Sequence, residues 1–95
     1  VFFDAVLASD DTLAVGAVKY AHAVKRSIPD DFSIIGYNNS VYAVCTDPEL
    51  TSIDSRVEAL CSTAITTLMG VFNGVSVPSR TNIAADLIKR ATTKF

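Results

Sequence analysis

Two pairs of polar residues, each placed directly after an apolar run, are the residues in this sequence that could bind a ligand. Asp10 and Asp11 follow a short apolar run, and Asn38 and Asn39 follow the sequence Ser-Ile-Ile-Gly-Tyr. Carboxylates accept hydrogen bonds and carboxamides both donate and accept, so together they can hold hydroxyl groups or ring nitrogens. This pattern predicts a site for a small polar molecule. The alternative is a purely structural role without a ligand, since an aspartate can cap a helix and two asparagines can form a turn.

Strands and a helix are predicted to position these residues. Residues 5–8 and 32–37 are predicted strands, and apolar residues between them recur at helical spacing. These helical positions are Leu13, Ala17, Ala21, Val24 and Ile28. A strand-helix-strand order favours parallel neighbouring strands, whose carboxyl ends share one edge of the sheet. Both polar pairs are therefore expected at that edge.

The second half of the chain continues the α/β pattern. Residues 50–53 are a predicted third strand, and Asp54 or Ser55 can cap a second helix that ends at Asn73-Gly74. The apolar stripe of this helix, predicted to face the core, is Val57, Leu60, Cys61, Ala64, Ile65, Leu68 and Phe72. Residues 81–85 and 87–93 are then predicted as two short strands, the last with Lys89 and Arg90 at its exposed edge.

The length and charge of the chain limit its function. Ninety-five residues suit one compact domain, and the net charge of −2 argues against a surface that grips a phosphate backbone. No apolar run approaches the roughly 18 residues of a membrane span. The chain starts at Val1 without methionine or a signal segment, so we expect a piece of a longer protein.

The sequence predicts no enzyme, no metal and no cofactor. His22 lies mid-helix, about 18 Å from Asp10 at 1.5 Å per residue, so it cannot form a relay with Ser9. Cys45 and Cys61 stand far apart, without a second ligand at metal spacing. The four glycines fall in no phosphate-binding pattern.

Four stretches, in this order, resemble the carboxyl-terminal part of the effector-binding region of lactose-repressor/galactose-repressor (LacI/GalR) family transcription regulators. They are DAVLASDDTLAVGA at 4–17, IPDDFSIIGYNN at 28–39, DPELTSI at 47–53 and LIKRATT at 87–93. The resemblance implies a three-layer α/β/α fold of the periplasmic-binding-protein type, with two lobes and the effector between them. Residues 1–95 are then expected to be the carboxyl-terminal lobe, without the other lobe or the DNA-binding headpiece.

The resemblance also implies which residues contact the effector. These are Asp10, with Asp11 as a register alternative, Asn38 and Ser55. Asn38 stands where the family usually has an aspartate. The resemblance implies a sugar or a related small molecule as the effector, whereas the amide at position 38, which can donate as well as accept, is a departure that counts against a typical sugar site.

A second surface is expected from the resemblance, because this lobe supplies much of the family's dimer interface. The expected interface residues are Tyr20, Val24, Tyr42, Val44 and Cys45. Exposed aromatic and apolar loop residues fit such a role. The alternative is that they fold back over their own core.

The sequence therefore predicts the effector-sensing and dimerising part of a cytoplasmic, homodimeric transcription regulator that contacts DNA only through its headpiece. An alternative is the sugar-binding protein of an ABC-type transporter, which shares the fold. A third reading is a dimerisation module without a ligand. A helix-turn-helix or a signal peptide upstream would distinguish the first two.

Overall fold

The computed structural model describes residues 3–95, so Val1 and Phe2 lie outside the described residues. The described chain divides into two compact units. One contains the segment up to Ser55 together with Asp86–Phe95, and the other is Arg56–Ala85. All four candidate effector contacts belong to the first unit. That residues 1–95 form a single lobe remains a prediction.

A four-stranded sheet in the order β1-β2-β3-β4 forms the centre of the first unit. The strands are β1 (Ala5–Leu7), β2 (Ser33–Tyr37), β3 (Thr51–Asp54) and β4 (Asp86–Ile88). The first three are parallel, and β4 runs antiparallel to β3. The predicted α/β fold with a mainly parallel sheet is therefore confirmed.

The predicted strand at residues 81–85 is wrong, since these residues form no strand. The segment contains Asn82 and two alanines, which are residue types with low strand propensity. Strand pairing starts instead at Asp86, which lies opposite Asp54 of β3.

Helix α1 (Asp11–Ala23) connects β1 to β2, and the predicted apolar stripe is confirmed in part: Ala21 is buried and Ala17 and Ile28 pack against the core, but the other two members are exposed. Its buried residues, spaced three or four apart, are Asp11, Ala14, Val18 and Ala21. Leu13 and Val24 of the predicted stripe are 62% and 45% exposed. A face of two alanines and one valine lets the helix lie close to the sheet, whereas Leu13 would hold it away.

Helix α1 also ends earlier than predicted, at Ala23 rather than near Ile28. Lys25 has a left-handed backbone with φ of 57°. The amide of Arg26 then donates to the carbonyl of Ala21 (2.8 Å), and the amide of Lys25 donates to His22 (3.2 Å). These two bonds form a Schellman motif. Glycine or asparagine usually occupies the left-handed position, so a lysine there gives no signal in the sequence.

The core of the first unit lies between α1 and the sheet. The buried apolar residues are Ala8, Ala14, Val18, Ala21, Phe32, Ile34, Ala43 and Leu50. Phe32 is the largest of them, and its ring meets the ring of Phe3 edge-on at 5.1 Å. The Arg26 guanidinium lies 4.7 Å from the centre of the Phe32 ring, which closes this end of the core with a cation–π contact.

Residues 90–93 lie between the starts of β2 and β3, not along an exposed edge. The Ile34 amide donates to the Thr92 carbonyl (2.9 Å), and the Thr51 amide donates to Thr92 Oγ1 (2.9 Å). Thr92 Oγ1 in turn donates to the Ile34 carbonyl (2.6 Å), and Thr92 is fully buried. The prediction of a strand over residues 87–93 is wrong beyond Ile88, because a threonine hydroxyl satisfies backbone groups that a strand would otherwise pair.

The second unit contains helix α2 (Val57–Phe72), which ends as predicted at Asn73, with Gly74 in the left-handed region at φ of 73°. No residue of α2 is buried within the described chain. Ile65 and Phe72 of the predicted core stripe are 64% and 72% exposed, so the prediction that this stripe faces a core is wrong here. Periodicity indicates which residues share a face, but not what covers it.

Candidate functional site

The candidate site lies at the carboxyl edge of the parallel strands. Leu7 of β1 pairs with Ile35 of β2, which pairs with Thr51 of β3. Since these strands run in the same direction, the residues that follow each of them emerge at the same edge. Asp10, Asn38 and Ser55 follow β1, β2 and β3 in turn.

Asp10 and Asn38 are in direct contact at this edge. Asp10 is the N-cap of α1, and its Oδ1 accepts from the Thr12 amide (2.8 Å) and the Thr12 hydroxyl (2.7 Å). Its second oxygen, Oδ2, accepts from Nδ2 of Asn38 at 2.8 Å. The expected meeting of the two polar pairs at one edge is therefore confirmed for these two residues.

The backbone of Asn38 turns the chain out of the sheet. Its amide donates to the Ile53 carbonyl (2.8 Å), which prolongs the pairing with β3 by one residue. The φ angles of Asn38 and Asn39 are 98° and 47°, in a region that residues other than glycine and asparagine rarely adopt. Two consecutive asparagines thus permit a reversal that leaves the Asn38 carboxamide exposed beside Asp10.

Hydrogen bonds keep the carboxyl group of Asp10 ionised. The hydroxyl of Thr12 and then its backbone amide lower the pKa of Asp10 below its usual value; burial opposes them, and the Asn38 amide adds the smallest lowering effect. Donors that bond the charged form stabilise it. The site therefore presents a negative charge next to a neutral amide.

Asp11 has a different environment from Asp10, because it is fully buried. Its Oδ2 accepts from the amide and the hydroxyl of Ser40, both at 2.7 Å, and its Oδ1 accepts from the Ser52 hydroxyl at 2.7 Å. These bonds tie the start of α1 to β3 and to the loop after β2. Of the two register alternatives for effector contact, Asp10 is the one with accessible oxygens.

Gly36 provides the space for the Asp11 carboxylate. A Cβ atom at Gly36 would overlap Oδ1 of Asp11 and would lie 2.8 Å from Cδ2 of Leu50. Since real Cβ atoms essentially never approach other atoms so closely, the glycine is required by the carboxylate packed against it.

Asn39 points away from the exposed pair, into a network that sequence reasoning missed. Its Oδ1 accepts from Nη2 of Arg90 (2.5 Å), and its Nδ2 lies 3.4 Å from Oδ2 of Asp54. Arg90 was predicted at an exposed strand edge, but it is half-buried. The only signal for it in the sequence is an arginine directly before the segment Ala-Thr-Thr.

Ser55 is half-buried and follows β3 at the same edge. It is the last residue of the first unit before Arg56. Its position suits a further polar contact at the edge, while the bonded pair of the site is Asp10 and Asn38.

The expected dimer residues are all exposed and lie on neighbouring elements. Tyr20 and Val24 lie at the end of α1, and Tyr42, Val44 and Cys45 lie in or next to a short 3-10 helix, η1 (Val41–Val44). The η1 helix packs against α1. Nε2 of His22 donates to the Asp47 carbonyl (2.7 Å), which ties α1 to the following loop. These side chains do not fold back over the core.

The chemistry available at the edge is hydrogen bonding. Asp10 Oδ2 and Asn38 Oδ1 have lone pairs left for ligand donors, and Asn38 Nδ2 has a second hydrogen for a ligand acceptor. Within residues 3–95, no group of three or more His, Cys, Asp or Glu side chains is placed to hold a metal ion. Over the same residues, no helix is long and apolar enough to cross a membrane.

Comparison with known proteins gives one family. The family model described as a periplasmic binding protein-like domain matches residues 3–93. An HTH-type transcriptional regulator of Lachnoclostridium phytofermentans is 55% identical over 93 residues, which are 98% of this chain and 28% of that regulator. The chain thus spans just over a quarter of the length of this relative.

Solved structures give the same result. The lac repressor dimer bound to operator and the anti-inducer ONPF matches with a TM-score of 0.92 and 27% identity, over 98% of this chain and 32% of that one. A periplasmic binding protein/LacI transcriptional regulator from Alkaliphilus metalliredigens, complexed with D-xylulofuranose, matches with a TM-score of 0.82 and 33% identity, over 96% of this chain and 35% of that one.

Proposed function

We propose an effector-sensing function for this chain, which belongs to the LacI/GalR family of transcriptional regulators and carries the periplasmic binding protein-like domain of that family. The observation that carries the proposal is the hydrogen bond between Asp10 and Asn38 at the carboxyl edge of the sheet. This accessible carboxylate and amide lie at the edge where open α/β sheets bind small ligands, which supports the proposal.

The proposed effector is a sugar or a related polyhydroxyl molecule. Adjacent hydroxyl groups can donate to Asp10 Oδ2 and Asn38 Oδ1 and accept from Asn38 Nδ2, and Ser55 adds a third polar contact. A related structure is described as a complex with D-xylulofuranose, which supports a sugar. In this proposal Asp11 does not contact the effector, since its side chain is buried and both of its oxygens accept hydrogen bonds within the protein.

In the whole protein, we propose that effector binding changes the affinity for DNA. The related regulators are named HTH-type, and the lac repressor structure contains operator, which supports DNA contact through a headpiece outside residues 1–95. By linkage, an effector that prefers one DNA-binding state must shift the population of that state. A cytoplasmic location and a role of this chain as the carboxyl-terminal lobe belong to the same proposal.

Replacing Asn38 with glycine is expected to weaken effector binding by roughly 5- to 150-fold, because a lost polar contact costs roughly 1 to 3 kcal/mol. Glycine tolerates the positive φ of this position, so the backbone is preserved. The measurement is fluorescence anisotropy of the full-length protein on its operator, titrated with a panel of sugars at fixed salt.

The matched control for Asn38→Gly is Asn82→Gly, the same change at an exposed residue of the other unit. It should leave the titration unchanged. Equal effector affinity in the wild type and Asn38→Gly would remove Asn38 from the site, and absence of any response to sugars would contradict the proposed effector class.

We further propose that the exposed residues of α1 and η1 form a homodimer interface, as the dimer in the lac repressor structure suggests. Val44→Asp is expected to weaken dimerisation at least tenfold, because a buried unpaired carboxylate is costly. Val75→Asp is the control, since Val44 and Val75 are 50% and 59% exposed. Sedimentation velocity over a concentration series measures both. Equal dimer affinity in the two variants would exclude this surface.

A further inference from the structure

The Arg90 guanidinium is half-buried and bonds two acceptors inside the first unit. Its Nη1 donates to the Leu50 carbonyl (2.7 Å) and its Nη2 donates to Oδ1 of Asn39 (2.5 Å). The backbone amide of Arg90 donates to Thr51 Oγ1 (2.9 Å). A planar guanidinium presents its donors in a fixed geometry. When it bonds two acceptors at once, it therefore fixes the position of one acceptor relative to the other. Arg90 therefore holds Asn39 at a set place relative to β3.

Asn39 is in turn restrained at three points. Besides the bond from Arg90, its backbone amide donates to Ser52 Oγ (2.9 Å) and its Nδ2 lies 3.4 Å from Asp54 Oδ2. Asn39 is half-buried and bonded at both ends of its side chain, so it is less accessible to a ligand than the exposed Asn38. Asn39 therefore has a structural role, because these bonds stabilise its left-handed backbone conformation at φ of 47°.

Asn38 directly precedes this restrained residue and is itself left-handed, at φ of 98°. The exposed carboxamide of Asn38 reaches Asp10 from this backbone conformation. We propose that Arg90 is a positioning residue for the effector site, which holds Asn39 left-handed and so aims the Asn38 carboxamide at Asp10. The inference rests on the proposed function of the Asp10–Asn38 pair.

The segment that carries Arg90 is anchored without its guanidinium. The Ala91 amide donates to the Glu49 carbonyl (2.9 Å), and Thr92 bonds both β2 and β3. Arg90→Lys keeps the charge and these anchors but lacks the two-pronged donor geometry. Asn39→Gly removes the acceptor and tolerates positive φ. Both variants should therefore fold. One alters the donor and the other removes the acceptor of the bond between Arg90 and Asn39.

The test is the pKa of Asp10, read by NMR from selectively labelled aspartate carboxyl carbons in the full-length protein. Because the Asn38 bond favours ionised Asp10, its loss should raise the pKa of that group. We expect an upward shift in Arg90→Lys, in Asn39→Gly and in the reference variant Asn38→Gly, with no further rise in the double variant Arg90→Lys/Asn38→Gly. Lys89→Met, which removes an exposed neighbouring charge, should leave the Asp10 titration unchanged.

A merely structural role predicts another result. If Arg90→Lys and Asn39→Gly lower thermal stability while the Asp10 pKa stays at the wild-type value, the positioning role is overturned. The sugar panel, applied to the same proteins, tests the proposed function separately. If no sugar binds the wild type, the proposed function fails, whereas the Asp10 titration still decides the role of Arg90. If sugars bind, both variants should weaken that binding severalfold.

Discussion

Replacing Gly36 with alanine is expected to destabilise the protein by roughly 2 to 4 kcal/mol. The added methyl group would overlap Oδ1 of Asp11 and crowd Leu50. Neither neighbour can move freely, since Leu50 is fully buried and Oδ1 of Asp11 is bonded to Ser52. The protein must either shift β2 or break the carboxylate's bonds. Urea unfolding followed by far-UV circular dichroism measures the loss.

Gly16→Ala is the matched control, because it makes the same change at an exposed position in α1, where the new Cβ would have no neighbour within 4 Å outside the adjacent helix backbone. Alanine is favoured over glycine in a helix by roughly 0.5 to 1 kcal/mol, so this variant should gain stability. Opposite signs for the two substitutions are the expected outcome. A neutral Gly36→Ala variant would show that the carboxylate of Asp11 is not packed against β2.

Replacing Asp11 with alanine is expected to destabilise the protein by roughly 3 kcal/mol, while Asp10→Ala costs about 1 kcal/mol. The loss of Asp11 leaves the Ser40 amide and the hydroxyls of Ser40 and Ser52 without their acceptor in the interior. Loss of Asp10 removes an N-cap and the bond from Asn38, and the donors of both lie at the surface, where they can bond to water. The same urea experiment compares the two neighbouring aspartates.

Asp11 is expected to matter more for stability, but Asp10 is expected to matter more for the response to sugars. Asp10→Ala should abolish the sugar response in the anisotropy titration, although most of the protein remains folded. Asp11→Ala, measured below its unfolding transition, should retain a response from its folded fraction. If Asp11→Ala were as stable as Asp10→Ala, the buried carboxylate would not organise the loop as described.

The order of the first three strands and the two helices, and the meeting of Asp10 with Asn38, could be predicted from the sequence. Both follow from local patterns joined by one topological rule, that parallel strands present their carboxyl ends at one edge. The capping aspartate and the paired asparagines are side chains that act on their own backbone, so their roles are visible in short stretches.

Contacts between distant residues that do not follow from the order of parallel strands could not be predicted. The bond from Arg90 to Asn39 joins residues 51 positions apart, and no local sequence pattern predicts it. The left-handed Lys25 is unusual for its residue type, so the helix end it forms was missed. Burial of Asp11 depends on the absence of a side chain at Gly36, which only the packed structure shows.

The first unit is assembled from two stretches of chain separated by residues 56–85. Thr92, from the second stretch, supplies the partners of the Ile34 and Thr51 amides from the first. Closing an intervening loop of this length costs about 3 kcal/mol in chain entropy, before a constant term. During synthesis, the Ile34 and Thr51 amides therefore have no partner until Thr92 has been added, and a chain that ends before that point leaves the sheet unfinished.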